Sequence, residues 1–249
     1  MAGLSSWQRM TPREDFSTAY LIGLFGEMAK TYGAVNLLSS FGFSHRWRKQ
    51  CVERLAAKPG DSCADLMSGN CETSLLMAKS MRREISILAV DFCPAMTRSA
   101  IKVIQRRELE KVVTVRTADV LRLSECCAYD CITVAFGIKT LSEAGLKNFA
   151  HVLQRMLKPG GRAVLVEISV PPAKLLRIPY LFYLRHVVPL IGQLMLGNPD
   201  CYRSLALYTE GFAARDNFET EVAMSGLSVR VENLFFGCAK LYLLQKPRE

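Results

Sequence analysis

The chain of 249 residues is half hydrophobic and 22% charged, which excludes a disordered or low-complexity protein and allows one large α/β domain. Its 32 basic and 23 acidic residues leave a formal charge of +9, and that balance invites nucleic-acid or anionic-membrane readings. The densest basic groups, "HRWRK" (45–49), "RR" (82–83) and "QRR" (105–107), fall on predicted helices. They are expected to be solvated helix faces, and nucleic acid is not an expected partner.

Residues 1–15, "MAGLSSWQRMTPRED", are mixed and polar, without the basic-then-apolar order of a signal segment. With nine cysteines, an odd number, this predicts a reducing, cytoplasmic setting in which cysteines serve as small core hydrophobes. Residues 16–58 carry helical spacing and complete an expected N-terminal helical cap, 1–58, ahead of a main domain, 59–249. From there short β-rich runs alternate with helical patterns. "SCADLM" (62–67), "ISILAV" (85–90), "VVTVR" (112–116), "YDCITVAF" (129–136) and "RAVLVEIS" (162–169) read as five buried strands. Helices are predicted over 71–83, 95–109 and 142–157, and "LKPGG" (157–161) reads as a helix end and turn. Such alternation implies a parallel sheet covered on both faces by right-handed crossovers. Cys126, Cys127 and Cys131 lack a C-x-x-C pair or matching histidine spacing, so no metal site is expected.

Residues 172–222 form a predicted helical lid inserted before a closing antiparallel pair, "LSVRVENLFFG" and "CAKLYLLQK". The longest apolar stretch, 178–197, is broken by Arg185, His186 and two prolines, so it is not expected to span a membrane. Basic and apolar residues mix in "AKLLRIPYLFYLRH" (173–186), which leaves peripheral membrane contact open; a homodimer is also left open. Cap and lid lie where an open parallel sheet places its ligand, beyond the carboxyl ends of the strands. A lid rich in Leu, Ile, Phe and Tyr suits a small hydrophobic acceptor.

The loop "DLMSGNCE" (65–72) narrows the choice of cofactor. A dinucleotide needs G-x-G-x-x-G so that backbone can approach the pyrophosphate, but only Gly69 is present and Glu72 opens the helix. A P-loop sequence is absent. S-adenosylmethionine has no phosphate and carries a sulfonium and an ammonium, so acids near this loop are welcome. Asp65, Asp91 and Asp119 follow three successive strands; Asp91 is placed for ribose hydroxyls and Asp119 for the adenine amino group.

The chain resembles the class I S-adenosylmethionine-dependent methyltransferases, and within them the ubiquinone/menaquinone C-methyltransferase family. "YDCITVAFGIKTLSE" looks like the family's D-x-I-T-x-x-F-G-[IL]-R-N stretch, and "LKPGGRAVLVEIS" its L-K-P-G-G…E-F-S block. "HVVPLIG", "CYRSL" and "LFGEMAKTYGAVNLLSSFGFSHRWR" are similar to its lid and opening segments. The resemblance implies a Rossmann-like, seven-stranded, mostly parallel sheet of order 3-2-1-4-5-7-6. It also exposes departures. The family's loop D-L-A-G-G-T-G-D meets Ser68, Asn70 and Cys71 at glycine, threonine and glycine slots, its Y-D becomes Tyr32-Gly33, and its R-N becomes Lys139-Thr140. A cysteine in the last glycine slot is strained if it needs positive φ.

The expected cofactor-binding set is Asp65, Met67, Ser68, Gly69 and Glu72; Asp91, Phe92 and Met96; Ala118, Asp119 and Val120; and Ala135, Phe136 and Gly137. Lys139 is expected to stabilise a phenolate, Tyr32 to shape the acceptor site, and His186 and Tyr202 to touch substrate from the lid. The expected activity is methylation of a hydrophobic small molecule, sharpest as C-methylation of a quinol or phenol ring. Methylation of N or O, or a non-methylating reaction on the same cofactor, is the alternative. A nucleic-acid methyltransferase is disfavoured, because "AFGIKT" (135–140) replaces the [DN]-P-P-[YFW] turn.

Overall fold

The computed structural model describes residues 16–195, 198–214 and 217–248; the polar opening stretch 1–15 lies outside them. Seven strands form one sheet of order β3-β2-β1-β4-β5-β7-β6. They are β1 (Ser62–Leu66), β2 (Ser86–Asp91), β3 (Val113–Thr117), β4 (Tyr129–Ala135), β5 (Leu157–Ile168), β6 (Ser228–Leu234) and β7 (Ala239–Gln245). All pairings are parallel except the two that β7 makes, with β5 and β6. The order implied by the family resemblance is therefore present. The order in which strands join the sheet reverses between β1 and β4, which leaves a crevice at their carboxyl ends.

The central strands are continuous apolar runs because both faces are covered. Helices α3 (Phe43–Leu55), α4 (Glu72–Ser80) and α5 (Pro94–Arg106) pack one face. Helices α6 (Glu143–Met156) and α10 (Phe218–Met224) pack the other. The fit is direct in α6, where Ser142 caps the first turn through Gly145 N–H and Leu146, Phe149, Ala150 and Leu153 are buried at helical spacing. Each large side chain so placed contributes roughly 1.5–3 kcal/mol.

Three elements depart from the sequence reading. "LKPGG" does not end in a turn but forms the start of β5, where the register jumps from Tyr129–Leu157 to Cys131–Arg162. Gly160 has φ +76°, and a β-carbon on Gly161 would sit 2.8 Å from the Lys158 carbonyl. A bulge built on two glycines reads in sequence as a turn. Second, the cap taken as 1–58 is divided, since α3 buries Cys51 and Leu55 completely against the sheet. Of the described part of that cap, α1 (Thr18–Met28) and α2 (Tyr32–Ser39) lie over the strand ends. Third, α10 falls inside the predicted lid, yet Phe218 and Val222 belong to the core. The covering segment is α7 (Lys174–Phe182), α8 (Val188–Leu194) and α9 (Pro199–Ala214). Cys201, Tyr202 and Tyr208 of α9 join Leu21, Leu24, Met28 and Val35 in a separate cluster that ties this cover to α1 and α2.

Candidate active site

The β1–α4 loop bends through three left-handed residues, Met67 (φ 55°), Gly69 (φ 52°) and Cys71 (φ 64°). Only glycine adopts that region freely; each of the other two costs roughly 1–2 kcal/mol. Cys71 is thus held in the strained conformation that its glycine slot demands. Its thiol is fully buried and pushed up to about 12, chiefly by that burial, so it serves as a packing group and not as a nucleophile. Asp91 pins the loop: its carboxylate accepts Gly69 N–H and Cys93 N–H, each at 2.9 Å.

Asp65 faces inward. It accepts Ser74 N–H (2.9 Å) and Ser74 Oγ–H (2.6 Å) on one oxygen and Thr133 Oγ–H (3.2 Å) on the other, locking the first turn of α4 to β4. Burial, the largest cause, raises its pKa to about 6. The protonated form is therefore favoured on folding. The stability this confers is full below about pH 4 and lost as pH rises through about 6. Asp65→Asn is expected to flatten that loss, narrowing by on the order of 2 kcal/mol the stability change between pH 4 and 7. Thermal melts of both proteins across the range check it; parallel curves would assign the acid dependence elsewhere.

Two adjoining recesses, about 50 and 80 Å³, follow the ends of β1, β2 and β4 and share Met67, Phe92 and Thr140. The first holds Ser68, Gly69, Asn70, Glu72, Asp91, Met96, Ala135 and Gly137; the second holds Asp119 and Val120. They are narrow because Met67 crosses toward Gly137, whose added β-carbon would lie 2.7 Å from Met67 Cβ. At the wall, buried Arg48 pairs with Glu72 at 2.6 Å, its guanidinium 4.7 Å from the Phe136 ring centroid. Asn70 Oδ1 is buried with no hydrogen-bond partner. These groups fit S-adenosylmethionine. Glu72 and the orphaned Asn70 oxygen match an ammonium, Arg48 matches a carboxylate, and Asp91 and Asp119 offer acceptors beyond them.

A larger cavity of about 330 Å³ opens beside the cleft, lined by Val35, Trp47, Tyr180, Tyr183, Leu184, Val188, Leu205 and Phe235 among others. Tyr32 and Phe136 line both spaces and form the partition. At the same wall sits Lys139, 2% exposed, whose Nζ donates to Glu167 Oε1 (2.9 Å) and to the Phe136 carbonyl (2.5 Å). Glu167, fully buried, also accepts the backbone N–H of Lys139 (3.1 Å) and of Ile168 (2.9 Å). A buried pair this well hydrogen-bonded keeps one ammonium proton free in an otherwise apolar chamber. Burial, first among its causes, pushes the Tyr32 phenol well above its usual range, which makes Tyr32 a hydrogen-bond donor and not a base.

A model of the ubiE/COQ5 methyltransferase family matches residues 13–246. The chain belongs to that family. It is similar to the demethylmenaquinone methyltransferase of Thermus thermophilus, with 33% identity over 225 residues, 90% of this chain and 100% of the relative. It is also similar to the ubiquinone/menaquinone biosynthesis C-methyltransferase UbiE of Syntrophotalea carbinolica, with 33% identity over 88% of this chain and 91% of that one. Among solved structures, a SAM-dependent methyltransferase from Aquifex aeolicus superimposes with TM-score 0.56 at 16% identity, covering 80% of this chain and 88% of its own. A geranyl diphosphate methyltransferase does so with TM-score 0.56 at 14% identity, covering 82% and 78%. The chain is thus an S-adenosylmethionine-dependent methyltransferase of the ubiE/COQ5 family, and the structural likenesses speak to its fold.

Most residues expected from sequence to meet cofactor line the two recesses. Asp65 and Ala118 do not: Asp65 is spent on Ser74 and Thr133, and Ala118 packs against the core. Asp119 uses one oxygen to cap the following turn through Leu121 N–H at 2.9 Å. Lys139, Tyr32 and Tyr202 meet at the cavity, with the Tyr202 hydroxyl bonded to Thr31 Oγ1 at 3.1 Å. His186 does not join them. A π-helical turn at Tyr183–Val187 shifts the helix phase, so Tyr183 and Leu184 point inward while His186 is exposed against the Phe182 ring at 4.8 Å. Sequence reasoning missed two charged residues. Arg48 was hidden in "HRWRK", read as a solvated face, and Glu167 in the "LVEIS" block, where an acid inside an apolar strand was the available signal.

Proposed function

We propose that the chain transfers the methyl group of S-adenosylmethionine to a ring carbon of a hydroquinone or phenol that carries an apolar tail. The observation that carries this reading is an apolar cavity with the Lys139–Glu167 pair at its wall, parted from the cofactor cleft, among the described residues, by Tyr32 and Phe136. The bound cofactor supplies an intrinsically reactive methyl sulfonium. The chain supplies position, dryness and charge. The aromatic walls hold the ring flat at the partition, where an ortho carbon can face the cleft. The ring hydroxyl gives its proton to solvent, and the free proton of the Lys139 ammonium meets the ring oxygen and stabilises the phenolate, which raises electron density on that carbon. As the carbon takes the methyl the S–CH3 bond breaks to leave S-adenosylhomocysteine, and the ring proton at that carbon is lost to solvent as aromaticity returns. Glu167 holds Lys139 in place, and the Tyr32 hydroxyl donates across the partition. The relatives named for demethylmenaquinone favour a fused-ring hydroquinone over a simple phenol.

Incubation with S-adenosylmethionine and a reduced demethylmenaquinone, followed by mass spectrometry of the ring, tests this. A single methyl on carbon is expected; a methyl on oxygen, or none on any hydroquinone while other acceptors react, overturns the reading. A lysine in place of the family's arginine keeps the charge without the planar fork, so an acceptor with one ring oxygen near the wall suits it.

The same reading places the enzyme at a lipid surface in the cytoplasm. No helix among the described residues is long and apolar enough to cross a membrane. Yet Phe41, Leu175, Ile178, Phe182, Leu194 and Phe236, each at least 60% exposed, stand on the cover and around the cavity mouth. Apolar exposure of that density marks an interaction surface, and an acceptor tail enters directly from lipid. Phe41→Asp/Phe236→Asp is expected to reduce cosedimentation with phosphatidylglycerol vesicles by roughly tenfold or more, at about 0.8 kcal/mol for each methylene withdrawn. Equal sedimentation of the two proteins would refute the placement.

A further inference from the structure

Two of the basic groups that stand out in the sequence converge. Arg82 and Arg83, and Arg107 of "QRR", line one groove of about 600 Å³ that runs along α4, joined there by Lys79 and by His45, the one residue of "HRWRK" that reaches it. Its floor is apolar, made of Leu75, Leu76 and Leu109. Among the described residues no carboxylate forms an ion pair with Lys79, Arg82, Arg83 or Arg107. The Arg83 guanidinium donates instead to the carbonyls of Glu108 (3.2 Å) and Arg107 (3.4 Å), fastening the turns that end α4 and α5 to one another. Arg82 and Arg83 are consecutive left-handed residues, φ 49° and 68°, where glycine or asparagine would relieve strain. The acids of these turns, Glu84, Glu108 and Glu110, are exposed and do not line the groove. Among the described residues the one acid that does is Glu72, at the end nearest the cofactor cleft and already paired with Arg48.

The geometry points to a docking groove for an acidic, amphipathic segment of a partner protein, outside the methyl-transfer site. Basic walls over a leucine floor complement a helix that alternates carboxylates with apolar residues. A concave groove does not suit a bilayer. None of the described Phe, Tyr or Trp residues lines it, and so the described lining carries no stacking platform for single-stranded nucleic acid. The cations come from the ends of two helices well apart in sequence, Lys79, Arg82 and Arg83 at the end of α4 and Arg107 at the end of α5, and the fold brings them to one place.

The test is fluorescence anisotropy with the full chain and a labelled helical peptide of glutamate and leucine in a three-four repeat. Two further probes are the same peptide with lysine for glutamate, and a short oligothymidylate. The glutamate peptide is expected to bind and the lysine peptide to fail. Binding should weaken roughly tenfold or more in Arg82→Glu/Arg107→Glu and fall with added salt. Leu76→Ser, which leaves every cation in place, should also weaken it. Arg82 and Arg107 are exposed, Leu76 is half-buried against the core, and the thermal midpoint of each variant shows whether its fold is intact. No binding of the glutamate peptide, binding indifferent to the arginine reversal, or tighter binding of oligothymidylate through the same arginines overturns the proposal.

Discussion

Lys139→Met is expected to lower turnover on a hydroquinone acceptor by about two to three orders of magnitude, the range for losing one preorganised donor at a developing oxyanion, while S-adenosylhomocysteine still binds. The same change strands the fully buried Glu167 carboxylate. Removing one member of a buried pair costs roughly 3–5 kcal/mol, so the thermal midpoint must fall as well. Lys139→Met/Glu167→Gln separates the two effects. Glutamine keeps one oxygen for one of the two backbone N–H groups, of residue 139 and of Ile168, that the two oxygens of Glu167 now satisfy separately, and no charge is left unpaired. The double variant should recover part of the stability and none of the turnover. Recovery of both would show that Lys139 holds the fold and does not act on the acceptor. Lys139→Arg, the family's own residue, should retain activity, with a changed preference among acceptors, since a planar fork replaces a point donor.

How legible this was in sequence depended on which physical signal each element carried. The central strands were readable because burial on both faces makes them uninterrupted apolar runs. The boundaries of cap and lid were not, because amphipathic helices that pack on a sheet and those that cover its edge share the same period; α3 and α10 differ from α1 and α9 only in what lies beneath them. The bulge opening β5 failed for a related reason, as Pro159-Gly160-Gly161 carries the chemistry of a turn whether or not the chain reverses. At the site, strand-end acids were visible by position, yet Asp65 and Asp91 look alike in sequence and turn opposite ways. Side-chain direction past an irregular turn is lost altogether, and His186 is the example. Arg48 and Glu167 are buried charges whose partners, Glu72 and Lys139, sit on other elements; pairing across the fold leaves no periodic trace.

Asp91→Ala is expected to weaken S-adenosylhomocysteine binding by at least about a hundredfold in calorimetric titration. A carboxylate that receives two ribose hydroxyls contributes two charge-assisted bonds of roughly 1.5–3 kcal/mol each, and Asp91, 6% exposed at the end of β2, lines the first recess. It also holds Gly69 N–H in the strained loop and Cys93 N–H at the start of α5, so alanine removes support as well as contact. Asp91→Asn distinguishes these: one acceptor remains for the backbone while the charge is gone. Affinity should fall in the order wild type, asparagine, alanine, with the thermal midpoint dropping mainly for alanine. The loop makes the wild-type value informative in itself. Met67 stands in the family's alanine slot and crowds Gly137, and Cys71 is held left-handed, so both narrow the space that the methionine end of the cofactor needs. Micromolar binding would mean that the acids and the Arg48–Glu72 pair compensate for the missing glycines. If wild type fails to bind but Met67→Ala binds, the side chain at 67 closes the cleft; failure of both would sink the assignment of these recesses to the cofactor.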